Sequence, residues 1–307
     1  MKIRQPFHSG EISIQTEVNE RSIALSNGSL YEDAVILPAH SFLTRQFFFV
    51  LSLVEDLEHI PITVIYGEPG FISINNSGEE VTLSLKSHSN QNQDPVLRHL
   101  IEGSRVGGLA IELSTRRRLR INGHIKKYDA HEVIITVDES YPNCPMYIQK
   151  RTMELQAPTG TTQETHESGQ TLQPHHLDLI IKSDTFFVSS MNPQGHADAS
   201  HRGGNPGFVE VLENGDLKIP DYPGNSLFNT FGNLKLNPHA GLIFWNFERA
   251  EFLHLYGSVQ LDFHLDEKTA DTGGTGRWWI FTTQAWESQT VNLPFKIHFQ
   301  SYSSYNP

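Results

Sequence analysis

Apolar positions in this chain fall in short β-branched and aromatic runs cut by Gly, Asn and Ser, the pattern of strands and turns rather than of long helices. In the first half it predicts a short helix after Pro38 (40–46), then strands over 47–54, 62–66, 71–74 and 81–85. A second helix is predicted over 94–101. Asp94 is a good N-cap, Pro95 suits the first helical position, and Val96, Leu97, Leu100 and Ile101 make one apolar stripe. Two longer strands, 106–113 and 116–129, close this half. The order then repeats: strands over 185–190, 207–212 and 217–220, a helix over 226–236, and strands over 240–247 and 251–263.

A phrase inside this pattern occurs twice. Tyr66-Gly67-Glu68-Pro69-Gly70-Phe71-Ile72 is answered 137 residues later by Gly203-Gly204-Asn205-Pro206-Gly207-Phe208-Val209. Downstream, Gly108-Leu109 aligns with Gly241-Leu242 and Gly123 with Gly257, at offsets of 133 and 134. The chain therefore reads as two copies of one fold. Between them, residues 152–176 are polar, rich in Gly, Thr, Gln and Pro, and without apolar period, which predicts a linker joining domains at 1–151 and 177–307. Many short strands with one helix per copy suit small barrels, which remove exposed sheet edges. The predicted fold is mainly β, two tandem β-barrels with short helices packed as a pseudo-dimer.

Composition narrows the function. The 307 residues suffice for two cores, and 37% hydrophobic with 19% charged residues are globular values. A formal net charge of −12 argues against nucleic acid or an anionic membrane as partner. The single Cys144 excludes an intramolecular disulfide and a multi-cysteine metal site. No apolar run is long enough to span a bilayer and the first residues do not look like a signal peptide, so a soluble cytoplasmic protein is expected.

Candidate chemistry is unequal between the copies. Ser200-His201-Arg202-Gly203-Gly204 precedes the repeated phrase in the second, and Asp221-Tyr222-Pro223-Gly224-Asn225-Ser226-Leu227-Phe228-Asn229-Thr230 leads into its helix. Both read as anion cradles. Glycines permit close backbone approach, Asn225 or Ser226 can cap, the helix start favours phosphate, Arg202 offers a bidentate contact, and Asn229 and Thr230 add neutral donors. The competing reading is an ordinary turn and cap. The first copy is a control: Asp94-Pro95 at its helix start repels a phosphate and removes a donor, so its counterpart site is expected to be dead or altered. That copy instead carries Arg116, Arg118 and Arg120 on one face of a strand, facing either an anionic ligand or surface carboxylates. The sixteen histidines show no metal-binding spacing, so no metal is expected. Cys144 lacks an evident base nearby, and Trp278-Trp279 either stack on a planar ligand or close the barrel.

SHRGGNPGFV, PDYPGNSLFNTFGNL and GLIFWNFE…LHLYG in the second copy, with GEPGF, IELSTRRRLRINGHI and NCPMYIQKR in the first, resemble the pyridoxamine 5′-phosphate oxidase family, closest to its tandem, uncharacterised branch. The resemblance implies a six-stranded antiparallel split barrel per copy and flavin mononucleotide (FMN) as cofactor at the junction of barrels. It also implies a flavin-dependent oxidoreductase, or a non-catalytic carrier of flavin or haem. On the phosphate side it places Ser200, His201, Arg202, Gly203, Tyr222, Asn225, Ser226, Asn229 and Thr230, and on the facing wall Arg116 and Arg118. The family's Arg-Lys pair at the helix is replaced here by Asn229 and Thr230, which argues against pyridoxamine 5′-phosphate as substrate. The family's dimers allow a homodimer of pseudo-dimers. Substrate and redox partner are not legible.

Overall fold

The computed structural model describes residues 6–88, 91–156, 164–266 and 269–307. Three helices lead the chain, α1 (Ser9–Glu17), α2 (Arg21–Asn27) and α3 (Leu37–Thr44). Seven strands follow: β1 (Phe48–Leu53), β2 (Ile62–Tyr66), β3 (Ile72–Ile74), β4 (Glu80–Ser84), β5 (Arg105–Glu112), β6 (Arg117–Tyr128) and β7 (Glu132–Asn143). After β8 (Lys150–Leu155), β9 (Thr165–Gly169) and α4 (Pro174–Lys182), the second half contains β10 (Thr185–Met191), β11 (Ala197–Gly203), β12 (Glu210–Val211) and β13 (Leu217–Pro220). It continues through α5 (Asn229–Leu236), β14 (His239–Asn246), β15 (Glu251–Phe263), β16 (Arg277–Thr290) and β17 (Phe295–Ser301). Among the described residues no helix is long and apolar enough to cross a membrane.

The two large sheets share one topology. The first runs β2-β1-β5-β6-β7-β4-β3 and the second β11-β10-β14-β15-β16-β13-β12, all neighbours antiparallel. Each main path has seven strands, one more than the six expected, because short β3 and β12 extend it. Period-two alternation in every strand sends one set of side chains to a core of its own. In the first half Phe49, Ile65, Ile72, Leu83, Ala110, Ile121 and Ile135 meet, so both end strands, β2 and β3, reach the same core and the sheet must curl into a split barrel. Phe186, Leu217, Leu242, Leu255, Trp279 and Phe281 do the same in the second, sealed by Ile14, Ile180 and Phe231 from α1, α4 and α5.

The opposite faces of β1, β2 and β5 pack against those of β10, β11 and β14. Phe48, Val64, Leu109, Phe187, Ala199, Ile243 and Trp245 form a third core between the barrels, which makes the pair a pseudo-dimer. Serine clasps mark the pseudo-twofold. Ser52 Oγ accepts from Gly107 N (3.2 Å), and Ser189 Oγ accepts from Gly241 N (3.0 Å) and donates to Ile60 O in the other half. A Cβ on Gly107 would lie 2.7 Å from the Asp198 backbone, and one on Gly241 2.4 Å from Ile60 O. Gly107 is therefore the partner of Gly241, and the offset is a constant 134 through Gly123 and Gly257. This corrects the alignment of Gly108-Leu109 with Gly241-Leu242. The shared Gly-Leu dipeptide is one residue out of register, and a one-residue slip exchanges core and interface faces: Leu109 and Ile243 both belong to the interface, Leu242 to a barrel core.

Other departures from the sequence reading have local causes. The helix expected over 94–101 is a single 3₁₀ turn, Leu97–His99, since so short a segment gains little from helix propagation; Val96, Leu97 and Leu100 are buried without it, whereas Ile101, expected on the same stripe, is exposed. The polar stretch 152–176 is bordered by paired strands: β8 binds the C-terminal β17, and β9 binds β16. His176, in α4, is buried with its ring 4.2 Å from that of Trp286. Residues 157–163 of that stretch lie outside the described residues.

Candidate functional site

A cleft opens where the strand end of β6 and the loop after β7, both first-half, meet β11 and the β13–α5 loop of the second half. It encloses about 820 Å³ counting the open space at its mouth. Of the residues chosen from sequence, Ser200, His201, Arg202, Gly203, Tyr222, Asn225, Ser226, Asn229, Thr230 and Arg118 line it, joined by Arg120, Cys144, Tyr147, Asp221 and Arg277. Arg116 does not. It sits in the turn before β6 with φ 57°, and its guanidinium bonds Ile148 O, Ser301 Oγ and Tyr302 O. The alternation that puts Arg118 and Arg120 on one face begins only after that turn, so the assignment of Arg116 to the facing wall is corrected.

Four arginines approach the cleft, and their partners separate them into two kinds. Arg120, buried, pairs with Asp198 of the other half and donates to Ser200 Oγ (2.8 Å). Ser200 and Thr230 both donate to Asp198 Oδ2, at 3.0 and 3.2 Å. Arg277, also buried, binds Asp221 at 2.7 Å and Glu20 at 3.0 Å. Burial works against its charge, but the two carboxylates outweigh it and hold its pKa above the usual value. These two guanidiniums are neutralised within the protein.

Arg118 and Arg202 are not. Arg118 donates to Cys144 O (2.8 Å) and Cys144 Sγ (3.3 Å) and lies 3.4 Å from His201 Nδ1, with no carboxylate bonded to it. Arg202 has its guanidinium 5.4 Å from the Phe231 ring centre, and its buried Nε has no hydrogen-bond partner. Burial lowers the pKa of both; Cys144 at Arg118 and the Asp221 charge at Arg202 oppose it without outweighing it, and the neighbouring arginines add to the lowering. His201 is 3% exposed, its Nε2 also lacks a partner, and burial together with Arg118 and Arg202 holds its pKa well below the usual histidine value. The ring is neutral at physiological pH. With Arg118 on the Nδ1 side, Nδ1 accepts and Nε2 carries the proton.

The remaining wall is aromatic and its backbone is strained. Tyr147 and Tyr222 face each other at 4.9 Å between ring centres, beside Phe208, Phe228 and Met146. Tyr147, Ser226 and Phe228 all have positive φ (63°, 59° and 60°), three of the six such non-glycine residues described. Strain of this kind gathers where a loop is held for binding rather than for stability.

The start of α5 is occupied differently from the expectation that its neutral donors meet a phosphate. Ser226 Oγ donates to Glu20 Oε2 (2.5 Å), Asn229 Nδ2 donates to Glu11 Oε1 and Tyr31 OH (2.7 Å each), and Asn225 Nδ2 donates to Asn143 Oδ1 (2.8 Å). Glu11 and Glu20 come from α1 and the cap of α2, a strap that crosses the second barrel. Gln15 Nε2 and Asn27 Nδ2 fix it by donating to Leu227 O and Asn225 O. The strap was missed because Ile12 and Ile14 alternate as in a strand; its one usable signal is Glu11 three residues after His8, which form a capping box.

In the first barrel the equivalent positions are filled by apolar or self-satisfied groups. The register places Phe252 at Arg118, His254 at Arg120, Thr63 at Ser200, Val64 at His201 and Ile65 at Arg202. Thr63 donates to Asp94 Oδ2 (2.5 Å), while Asp94 Oδ1 caps its own turn from Val96 N and Leu97 N. Trp279 lies in the second barrel core and Trp278 packs under Lys218, so both serve the fold. Among the described residues no cluster of three or more His, Cys, Asp or Glu is placed to hold a metal.

No family model matches the chain, and no curated protein matches it. Several solved structures are similar to part of it. A putative pyridoxamine 5′-phosphate oxidase from Lactobacillus delbrueckii shares 12% identity over 38% of this chain and 92% of its own, with a TM-score of 0.31. An FAD-binding protein from Mesorhizobium loti shares 7% over 41% and 98% (TM-score 0.29), and HutZ, the haem storage protein of Vibrio cholerae, 11% over 37% and 89% (TM-score 0.27). Likenesses this distant carry no ligand or activity across to this chain.

Proposed function

We propose that the cleft binds FMN, with the phosphate on Arg118 and Arg202, and that the protein is a flavin-dependent oxidoreductase acting on a substrate other than pyridoxamine 5′-phosphate. The observation that carries this reading is the pair of half-buried guanidiniums, Arg118 and Arg202, that among the described residues have no carboxylate hydrogen-bonded to either. Burying a cation without a counter-charge is costly, and a phosphate monoester dianion supplies two negative charges and the acceptors that Arg202 Nε and His201 Nε2 lack. The sequence resemblance supplies the flavin: a planar ring system suits the Tyr147, Tyr222 and Phe208 wall. Bound flavin would supply the hydride chemistry. The chain's own residues bind the phosphate, orient the ring and exclude water, with Asp198 and Arg120 keeping Ser200 and Thr230 in place.

A carrier is the second reading, favoured because Ser200, Thr230, Asn225, Ser226 and Asn229 all spend their side chains on internal partners and leave few protons for a reaction. A haem version would need an axial ligand. His254 is excluded from that role because Nδ1 meets Ile62 O and Nε2 meets Gln289, and His201 Nε2, though without a partner, carries the ring proton and could ligate iron only if that proton left. Titration of the purified chain with FMN, followed by flavin fluorescence, tests the primary reading. Quenching with a 1:1 end point, weakened at least about tenfold by Arg202→Ala, supports it. A chain that quenches no flavin but gives a Soret band with haem transfers the site to the second reading.

A further inference from the structure

Glu20 gives the cleft a second electrostatic character that no part of the FMN reading requires. It enters from the strap at the cap of α2, and its two oxygens are divided between Ser226 Oγ (2.5 Å) and Arg277 Nη1 (3.0 Å), both residues of the cleft wall. A serine hydroxyl has one proton, and Ser226 gives it to Glu20. Arg277 is bonded to Asp221 as well, so this end of the cleft holds one guanidinium against two carboxylates. Arg202 also feels the Asp221 charge, but among the described residues neither it nor Arg118 has a carboxylate hydrogen-bonded to it. Glu20 thus adds a second carboxylate beside Asp221 and Arg277, so the α5 start, which in sequence looked like a phosphate cradle, already contains an anion.

We propose that Glu20 is a specificity-determining residue, which restricts the ligand to one terminal phosphate monoester and rejects compounds with a diphosphate. This rests on the phosphate-binding reading above. A monoester dianion matches the two free guanidiniums. A diphosphate brings further negative charge and oxygens toward Ser226 and Arg277, where the hydroxyl has no proton to offer and Asp221 and Glu20 repel it. Glu20→Gln keeps the side-chain shape and an acceptor for Ser226 while removing the charge.

The test compares FMN with FAD, and inorganic phosphate with pyrophosphate, on the full chain and on Glu20→Gln, with affinities from fluorescence and calorimetry and the melting temperature followed in parallel. The wild type is expected to bind FMN and phosphate at least about tenfold tighter than FAD and pyrophosphate, and the variant to lose most of that ratio by gaining affinity for the diphosphates. Wild-type binding of FAD or pyrophosphate as tight as that of the single phosphates overturns the inference without need of the variant. So does an unchanged ratio in a folded Glu20→Gln. If neither flavin binds but phosphate is still preferred over pyrophosphate, the flavin reading falls and the role of Glu20 stands; if neither inorganic anion binds, both fall.

Discussion

Arg118, Arg120 and Arg202 have the same side chain, yet their surroundings assign them opposite thermodynamic roles. Arg120 is one half of a buried ion pair, so Arg120→Ala strands the Asp198 carboxylate and is expected to cost about 3–5 kcal/mol of stability. Arg118 and Arg202 are half-buried with no carboxylate hydrogen-bonded to either among the described residues, and the Asp221 charge only partly offsets burial at Arg202. Their removal relieves an unfavourable charge, so Arg118→Ala and Arg202→Ala are expected to leave the melting temperature of the free protein level or raised while weakening phosphate and FMN binding at least about tenfold. Thermal melts beside ligand titrations check this, and a large loss of stability in Arg202→Ala would assign the residue to the fold. The arginine row and the Ser-His-Arg segment were legible in the sequence because charge density and strand alternation are local properties. Which arginine lacked a counter-ion was not. Asp198 lies 78 residues beyond Arg120, and Glu20 and Glu11 lie 206 and 218 residues before the Ser226 and Asn229 that they occupy, pairings that no local pattern announces.

At the scale of elements, the two barrels are held by strands that touch backbone to backbone, and a glycine at each contact makes the approach possible. Gly107 lies against the Asp198 backbone and Gly241 against Ile60 O. The doubling and the strands β1, β2, β5, β6, β14 and β15 are readable from apolar runs and the repeated Pro-Gly-Phe phrase. The register is not, because Gly-Leu occurs in both copies at positions one residue apart. Six strands carry no expectation from sequence: β7, β11 and β16 of the large sheets, and β8, β9 and β17, whose pairing is remote in sequence, with β9 almost wholly exposed. Gly107→Ala and Gly241→Ala should each cost about 1–3 kcal/mol as the overpacked strands move apart. Their effects on binding should differ. Gly107→Ala pushes on the residue that anchors Arg120, Ser200 and Thr230 and is expected to weaken the ligand, whereas Gly241→Ala acts beside Ile60 and spares it; equal losses of affinity would show that the contacts do not act separately.

Across the whole molecule, buried titratable groups set opposing limits on stability. Burial pushes Glu11 up to about 8 from 4.5, so between those values the folded chain keeps a proton that the unfolded chain has released, and stability falls as pH rises through that window. Burial lowers His8 and His176 to about 4 from 6.5 and depresses His201 and His254 as well, so the unfolded chain takes up protons first and stability falls as pH drops below 6.5. Glu11→Gln removes the alkaline limb alone. Its melting temperature is expected to gain on the wild type progressively from pH 6 to pH 8, about 2–4 °C for each kcal/mol recovered, and a constant difference over that range would refute the assignment. The same whole-molecule view decides how many ligands the pseudo-dimer holds. Symmetry alone would give two sites, but the positions that supply Arg118, His201 and Arg202 at one junction supply Phe252, Val64 and Ile65 at the other. There Glu287 is occupied by Arg98 (2.6 Å) and His166 (3.1 Å), and His254 is held by Ile62 O and Gln289. Among the described residues no guanidinium at that junction awaits an anion, so titration is expected to saturate at one FMN or phosphate per chain, and an end point near two would mean that apolar replacement has not closed the second site.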